Sequence, residues 1–223
     1  MSLAKFIWLL KEKKLFLSRL DELGDPYEGS HTVKTIERLQ EWLKRRGIPD
    51  RWTDLSADYR WNRAHTVVCC WHVNDYESEA MWRLYSNQGN GVAIQSTYGD
   101  LVKSIENEHE VYIGCIQYID YSNDMFPSAN IYDPAMHKRV AFSHEREVRL
   151  VLNQIMASEP SKGAETGPQT TINWDPDVWV QKIYIDPYAP GYFFDAVNTV
   201  IGSLAPNLLP RVEWSRMREP PRF

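Results

Sequence analysis

The stretch "HKRVAFSHEREVRLVL", His137–Leu152, sets charges of both signs directly against a run of β-branched and aliphatic residues. Read as a strand, "EVRLVL" turns Glu145, Glu147 and Arg149 to one side and Val148 and Leu150 to the other. One side enters a core; the other carries carboxylate, carboxylate and guanidinium in line. Carboxylates on one side repel, so a cation must offset them or one must keep its proton. Arg149, Lys138 and Arg19 are the available partners. The bland alternative is an Arg–Glu lattice on a solvated sheet face. His137 and His144 read as surface histidines.

Working outward, apolar stretches alternate with helical patterns along the whole chain. Leu3 to Lys13 and His31 to Arg46 have apolar residues at helical spacing, the second through Val33, Ile36, Leu39 and Leu43. "LFLSRL", "TVVCCWH", "GVAIQS", "VYIGCIQYI", "EVRLVL", "VWVQKIYI" and "PRVEWSRM" read as strands. Further helices are expected over Glu77 to Tyr85, Asp100 to Asn107, Asp133 to Phe142 and Phe193 to Leu204. About seven short strands and about five helices result. Several strands lack room for a helical crossover, so the fold class is α+β, one domain over residues 1–223 with a curved or split mixed sheet. Residues 158–171, rich in turn formers, read as a flexible insertion.

Composition narrows the function. The chain has 223 residues, 43% of them hydrophobic, with nine Trp and twelve Tyr. Such an aromatic share suits a cleft or interface as well as a core. A net charge of -5 argues against an extended nucleic-acid surface, while leaving a nucleotide or small molecule open. Three cysteines supply no disulfide framework; Cys69 and Cys70 are adjacent in an apolar run and read as buried thiols of a cytoplasmic protein. No segment reaches membrane-spanning length, and no Cys/His spacing indicates a metal.

Two other segments could carry chemistry. In "SRLDELGDPYEG", Pro26 restricts Asp25 to extended geometry and Gly29 permits a left-handed step. A cation, Arg19, and two carboxylates, Asp25 and Glu28, are thereby held near one strand end. The structural alternative is a turn in which Asp25 caps amides and Glu28 pairs with Arg19. In "ESEAMWRLYSNQGNGVAI", Ser78, Met81, Trp82 and Tyr85 share a helical face, a pattern more often found in cores.

Together, "KLFLSRLDELGDPYEG", "VVCCWHVNDYESEAMWRLYSNQGNGVAI" and "KRVAFSHEREVRLV" resemble a bacterial family known only as domain of unknown function 2971. Asp25, Pro26, Glu28, Met81, Trp82, Tyr85, Gly91, Lys138, Glu145, Glu147 and Arg149 carry the resemblance. Arg19 and Phe142-Ser143-His144 depart from its pattern. A more distant likeness is to ADP-ribosyltransferase folds. That likeness implies NAD as substrate, with Arg19, Lys138 and Arg149 among the groups contacting it. It implies that Trp82 or Tyr85 stacks on nicotinamide, and that Glu147, near Glu145, stabilises the cationic sugar. A clear Ser-Thr-Ser element is lacking. A setting in bacterial conflict with phage goes with the resemblance.

Three functions compete. One is NAD cleavage with transfer to a protein target or to water. A second is a non-catalytic module with a structural charge lattice and an aromatic surface that meets a partner protein. The third is a phosphodiesterase in which Asp25, Glu28, Glu145 and Glu147 converge on a divalent ion.

Overall fold

The structure, a computed structural model, describes residues 1–49, 56–86, 89–106, 110–127, 130–154 and 170–221. The chain forms two compact units, each assembled from separated segments. Unit 1 holds Met1–Leu15, Asn74–His109 and Thr171–Phe223; unit 2 holds Phe16–Val73 and Glu110–Thr170.

In unit 1, helix α1 (Leu3–Glu12) starts where Ser2 accepts a hydrogen bond from the Lys5 amide. It ends at Lys13 in the left-handed region. Phe6, Leu9 and Leu10 form its buried face, and it packs on α6 (Gly191–Leu204), which buries Phe193, Val197 and Ile201. Strands β3 (Val92–Gln95), β9 (Lys182–Ile185) and β10 (Val212–Trp214) form a sheet in the order β10-β9-β3. β9 runs parallel to β10 and antiparallel to β3. Helices α4 (Glu79–Tyr85) and α5 (Tyr98–Ser104) flank β3 in sequence. Gly91 precedes β3 because nothing larger fits: a Cβ there would lie 2.4 Å from the Ser86 Cβ. Close packing accounts for that glycine.

In unit 2, strands β1 (Lys14–Arg19), β2 (Thr66–His72), β4 (Tyr112–Cys115) and β7 (Glu147–Asn153) pair antiparallel in the order β4-β7-β2-β1. Every residue of β7 is buried. Ser18 pairs with Val68 and Val68 with Val151, so these share the face of Glu147 and Arg149. Leu20, Val68, Ala135 and Val151 form an apolar cluster, with Leu23, Tyr132 and Met136 packed on it. A two-stranded parallel sheet joins β5 (Gln117–Ile119) to β6 (His137–Arg139). Helices α2 (Val33–Arg45) and α3 (Ser56–Ala64) complete the unit.

The mixed α+β class and split sheet agree with the sequence reading; several boundaries do not. The expected helix over Asp133 to Phe142 is a 3-10 turn (Asp133–Met136), the short strand β6, and a second 3-10 turn (Val140–Glu145). The expected strand "VYIGCIQYI" breaks into β4 and β5, with Ile116 between them donating its amide to Glu147 O. "VWVQKIYI" contributes only β9, because Pro176–Trp179 forms a helical turn capped by Asp175. Helix α3 and strand β8 (Thr170–Asn173) were not anticipated. The expected insertion lies outside the described residues up to 169; Thr170 and Thr171 open β8.

His137, read as a surface residue, is buried, stacked on Phe126 at 4.1 Å with Nδ1 at 2.7 Å from Asp133 O. Cys69 is half-buried and Cys70 exposed where burial along β2 falls off beyond Val68, and Cys115, at the end of β4, is exposed. Burial still pushes the Cys69 thiol up to about 12. All three cysteines are free.

Candidate functional site

Five ionisable side chains from separated parts of unit 2 meet on one face of its sheet. Arg149 projects from the middle of β7 and is 0% exposed. Its Nε donates to Glu147 Oε1 at 2.6 Å, and its Nη1 to Glu28 Oε2 at 3.0 Å and to Ala135 O at 2.7 Å. Lys138, from β6, lies 3.0 Å from Glu28 Oε1 and 3.4 Å from Glu147 Oε2, and donates to Glu145 Oε2. Three carboxylates thus face two cations, and all five residues are buried.

Local geometry explains the convergence. Glu28 follows the Asp25-Pro26-Tyr27 turn, where Asp25 Oδ1 accepts the Tyr27 amide at 3.0 Å. Gly29 then takes a positive φ of 72°, and a Cβ there would lie 3.0 Å from Leu20 and 3.2 Å from Arg63. Between Glu145 and Glu147, Arg146 adopts φ 40°, the left-handed region. That kink is gripped by backbone contacts: Val73 donates to Arg146 O at 2.9 Å and His72 Nδ1 to Glu145 O. Tyr118, beside Lys138 in the β5–β6 register, accepts the Glu147 amide at 2.9 Å.

Burial and pairing pull on these groups in opposite directions. Burial alone draws the Glu147 carboxyl up, but Arg149, the Cys70 thiol and Lys138 outweigh it and hold the group below the usual carboxylate range. Burial likewise draws the Lys138 ammonium down; Glu145, Glu147 and Glu28 prevail and hold it above its ordinary value. Arg149 is held well above its own, burial being outweighed by Cys70, Glu147 and Glu28. The lattice therefore pairs opposite charges with one more carboxylate than cations, and it is buried, against the alternative of a solvated sheet face.

The remaining expected site residues lie elsewhere. Arg19 pairs with Val67 across the sheet, and Val67 with Leu152, which places Arg19 on the face opposite Arg149 and Glu147. Its guanidinium meets Asp21 at 3.0 Å and Glu22 at 3.2 Å. Asp25 pairs with Arg139, at 2.8 Å from Nη2 and 3.0 Å from Nε, while Glu28 enters the lattice rather than meeting Arg19. Trp82 and Tyr85 belong to α4 of unit 1. Trp82 is buried with Nε1 donating to Glu77 Oε2 at 3.0 Å, and Tyr85 is exposed. Among the described residues, no group of three or more His, Cys, Asp or Glu could hold a metal ion. No described helix is long and apolar enough to cross a membrane.

Arg139 escaped the sequence reading. The signal for Arg139 was the Lys138-Arg139 pair, whose two cations point to opposite sides once β6 is extended. Lys138 enters the lattice, and Arg139 turns to Asp25.

Residues 81–150 match the model of a family described as Protein of unknown function (DUF2971). The recognition drawn from the motifs holds over that span. Met81, Trp82, Tyr85, Gly91, Lys138, Glu145, Glu147 and Arg149 fall inside the DUF2971 match, and Asp25, Pro26 and Glu28 precede it. No curated protein and no solved structure matches the chain.

Proposed function

We propose that this chain is a non-catalytic protein-binding module whose ion lattice is architectural. The observation that carries this reading is the engagement of both Glu147 oxygens by buried cations. One of its oxygens accepts from Arg149 Nε, the other lies against Lys138, and the residue is buried. A carboxylate that stabilises a cationic sugar needs free lone pairs facing substrate. To act in NAD cleavage, Glu147 would have to turn away from both buried cations and lose its contacts with them, which is costly.

The surface best suited to a partner lies in unit 1, around α4 and the residues after β9. The Arg83 guanidinium lies 4.1 Å over the Tyr188 ring, and Tyr188 hydroxyl meets Glu79 at 3.0 Å. Leu84 and Tyr85 are exposed on α4, and Tyr192 is exposed in the first turn of α6. Tyrosine and arginine dominate binding energy at protein interfaces, since they bring area and hydrogen bonds at low entropic cost.

The test pairs two variants. Glu147→Gln lowers the melting temperature, with nicotinamide release from NAD at background in both wild type and variant. Tyr188→Ala with Tyr192→Ala leaves the melting temperature unchanged and removes a protein that co-purifies with the wild type from its native cells. NAD turnover by the wild type, abolished in a Glu147→Gln protein of unchanged stability, would replace this reading with the ADP-ribosyltransferase one.

A further inference from the structure

Beside the lattice, unit 2 holds a second charged cluster that the binding reading does not use. Asp25 is buried and grips Arg139 through both oxygens. The Arg139 guanidinium lies 4.6 Å from the Tyr27 ring centre and 5.4 Å from that of Phe142. Tyr27 is braced edge-on by Tyr121 at 5.2 Å, and the Asp25 and Pro26 carbonyls are held by Arg63. A carboxylate floor and two aromatic walls therefore surround the Arg139 guanidinium, and Tyr27 and the Asp25 backbone are held by contacts other than Arg139.

We propose that Asp25, Tyr27 and Phe142 form a recognition site for the guanidinium of an arginine on a partner protein, held closed by Arg139 as an internal occupant. Three features point this way. The occupant is accessible: the Arg139 side chain is 38% exposed and Tyr27 44% exposed, so both can be reached from solvent. The chemistry selects guanidinium, because the two oxygens of Asp25 meet two nitrogens of one planar fork, which an ammonium cannot reproduce. Aromatic faces add to cation binding. Charge favours a cation as well. With Arg139 displaced, the buried Asp25 carboxylate loses the cation that meets both of its oxygens. An anionic ligand would meet repulsion there.

An occupant tethered to the site competes at an effective concentration of about millimolar. Free arginine must therefore work against it, and weakening the occupant must improve binding. This inference is independent of the α4 surface and of the role given to Glu147.

The experiment titrates N-acetyl-arginine amide, with N-acetyl-lysine amide as comparison, while following the Tyr27 ring resonances. Wild type is expected to give a saturable shift with the arginine probe alone. Arg139→Lys, which keeps the charge but loses the fork, is expected to half-saturate at a concentration at least 10-fold lower. Asp25→Asn is expected to show no saturable shift. No saturable response in wild type would make Arg139 a fixed structural pin and overturn the proposal. So would equal responses of Arg139→Lys to the two probes, or an unchanged half-saturation. Arg139→Ala supplies a further arm: arginine amide is expected to raise its melting temperature more than lysine amide does. If that variant fails to fold, wild type and Arg139→Lys still decide.

Discussion

Arg149 and Arg83 meet a glutamate in almost the same way. The first places Nε 2.6 Å from Glu147, the second 2.7 Å from Glu79. Their surroundings differ: the side chains of the unit 2 pair are 0% and 4% exposed, those of the unit 1 pair 63% and 51%. Water can replace either partner of the exposed pair, whereas no solvent reaches the buried one. Distance alone therefore says little about what an ion pair does. Breaking a buried pair leaves an uncompensated charge out of water and costs several kcal/mol, about 3–5, whereas breaking an exposed one costs about 1 kcal/mol or less.

The contrast can be tested by mutation, beginning with Arg149→Met. It removes the central cation while keeping much of the volume, leaves Glu28 and Glu147 facing each other without it, and is expected to cost about 3–5 kcal/mol in urea denaturation. A loss below about 1 kcal/mol would erase the distinction drawn between the two pairs.

Glu147→Gln comes next, at about 1–3 kcal/mol, since the amide still accepts one hydrogen bond but surrenders the charge. It also alters the acid limb. The folded-state pKa of Glu147 lies below its unfolded value. Its contribution is therefore complete above the unfolded value, near 4.3 for a free glutamate, and is lost as pH falls through the folded one. Urea midpoints measured between neutral pH and the acid limit are expected to fall less steeply for the variant than for wild type.

Two glycines extend the comparison to packing. Gly91→Ala drives a methyl onto the Ser86 backbone and Cβ and is expected to cost about 1–3 kcal/mol. Gly114→Ala in unit 2 meets only the Met136 methyl, at 2.9 Å, and that flexible end can move aside. Its loss is expected to stay below about 1 kcal/mol, and a larger loss than at Gly91 would contradict the geometry of both sites. The smallest effect is that of Glu79→Gln, which is expected to leave the urea midpoint of the protein unmoved.

Much of this arrangement was readable in the residues because it depends on local pattern. Helices α1, α2 and α4 and strands β2 and β7 follow from apolar spacing. The alternation in "EVRLVL" correctly put Val148 and Leu150 opposite Arg149. The pairing of charges was harder to see. Glu28 lies 121 residues from Arg149, and nothing local distinguishes that partner from Arg19, which is far closer in sequence to Glu28. Only the register of β1 on β2 turns Arg19 to the other face. Strand β6 was hidden for a related reason. His137–Arg139 is three residues long between two 3-10 turns, too short for a period of two to stand out from a helical one. Its extended form comes from pairing with β5, a tertiary contact.

The interleaving of the two units has a practical consequence for anyone trimming the gene. A fragment cut to the matched span, 81–150, would keep Lys138, Glu145, Glu147 and Arg149 but discard Glu28 together with β1 and β2. Its guanidinium at 149 would lose the acid that arrives from far upstream, and the neighbouring strand that shields it. Recombinant boundaries drawn at the motif would then yield insoluble or unfolded material, and the failure would reflect the cut rather than the motif.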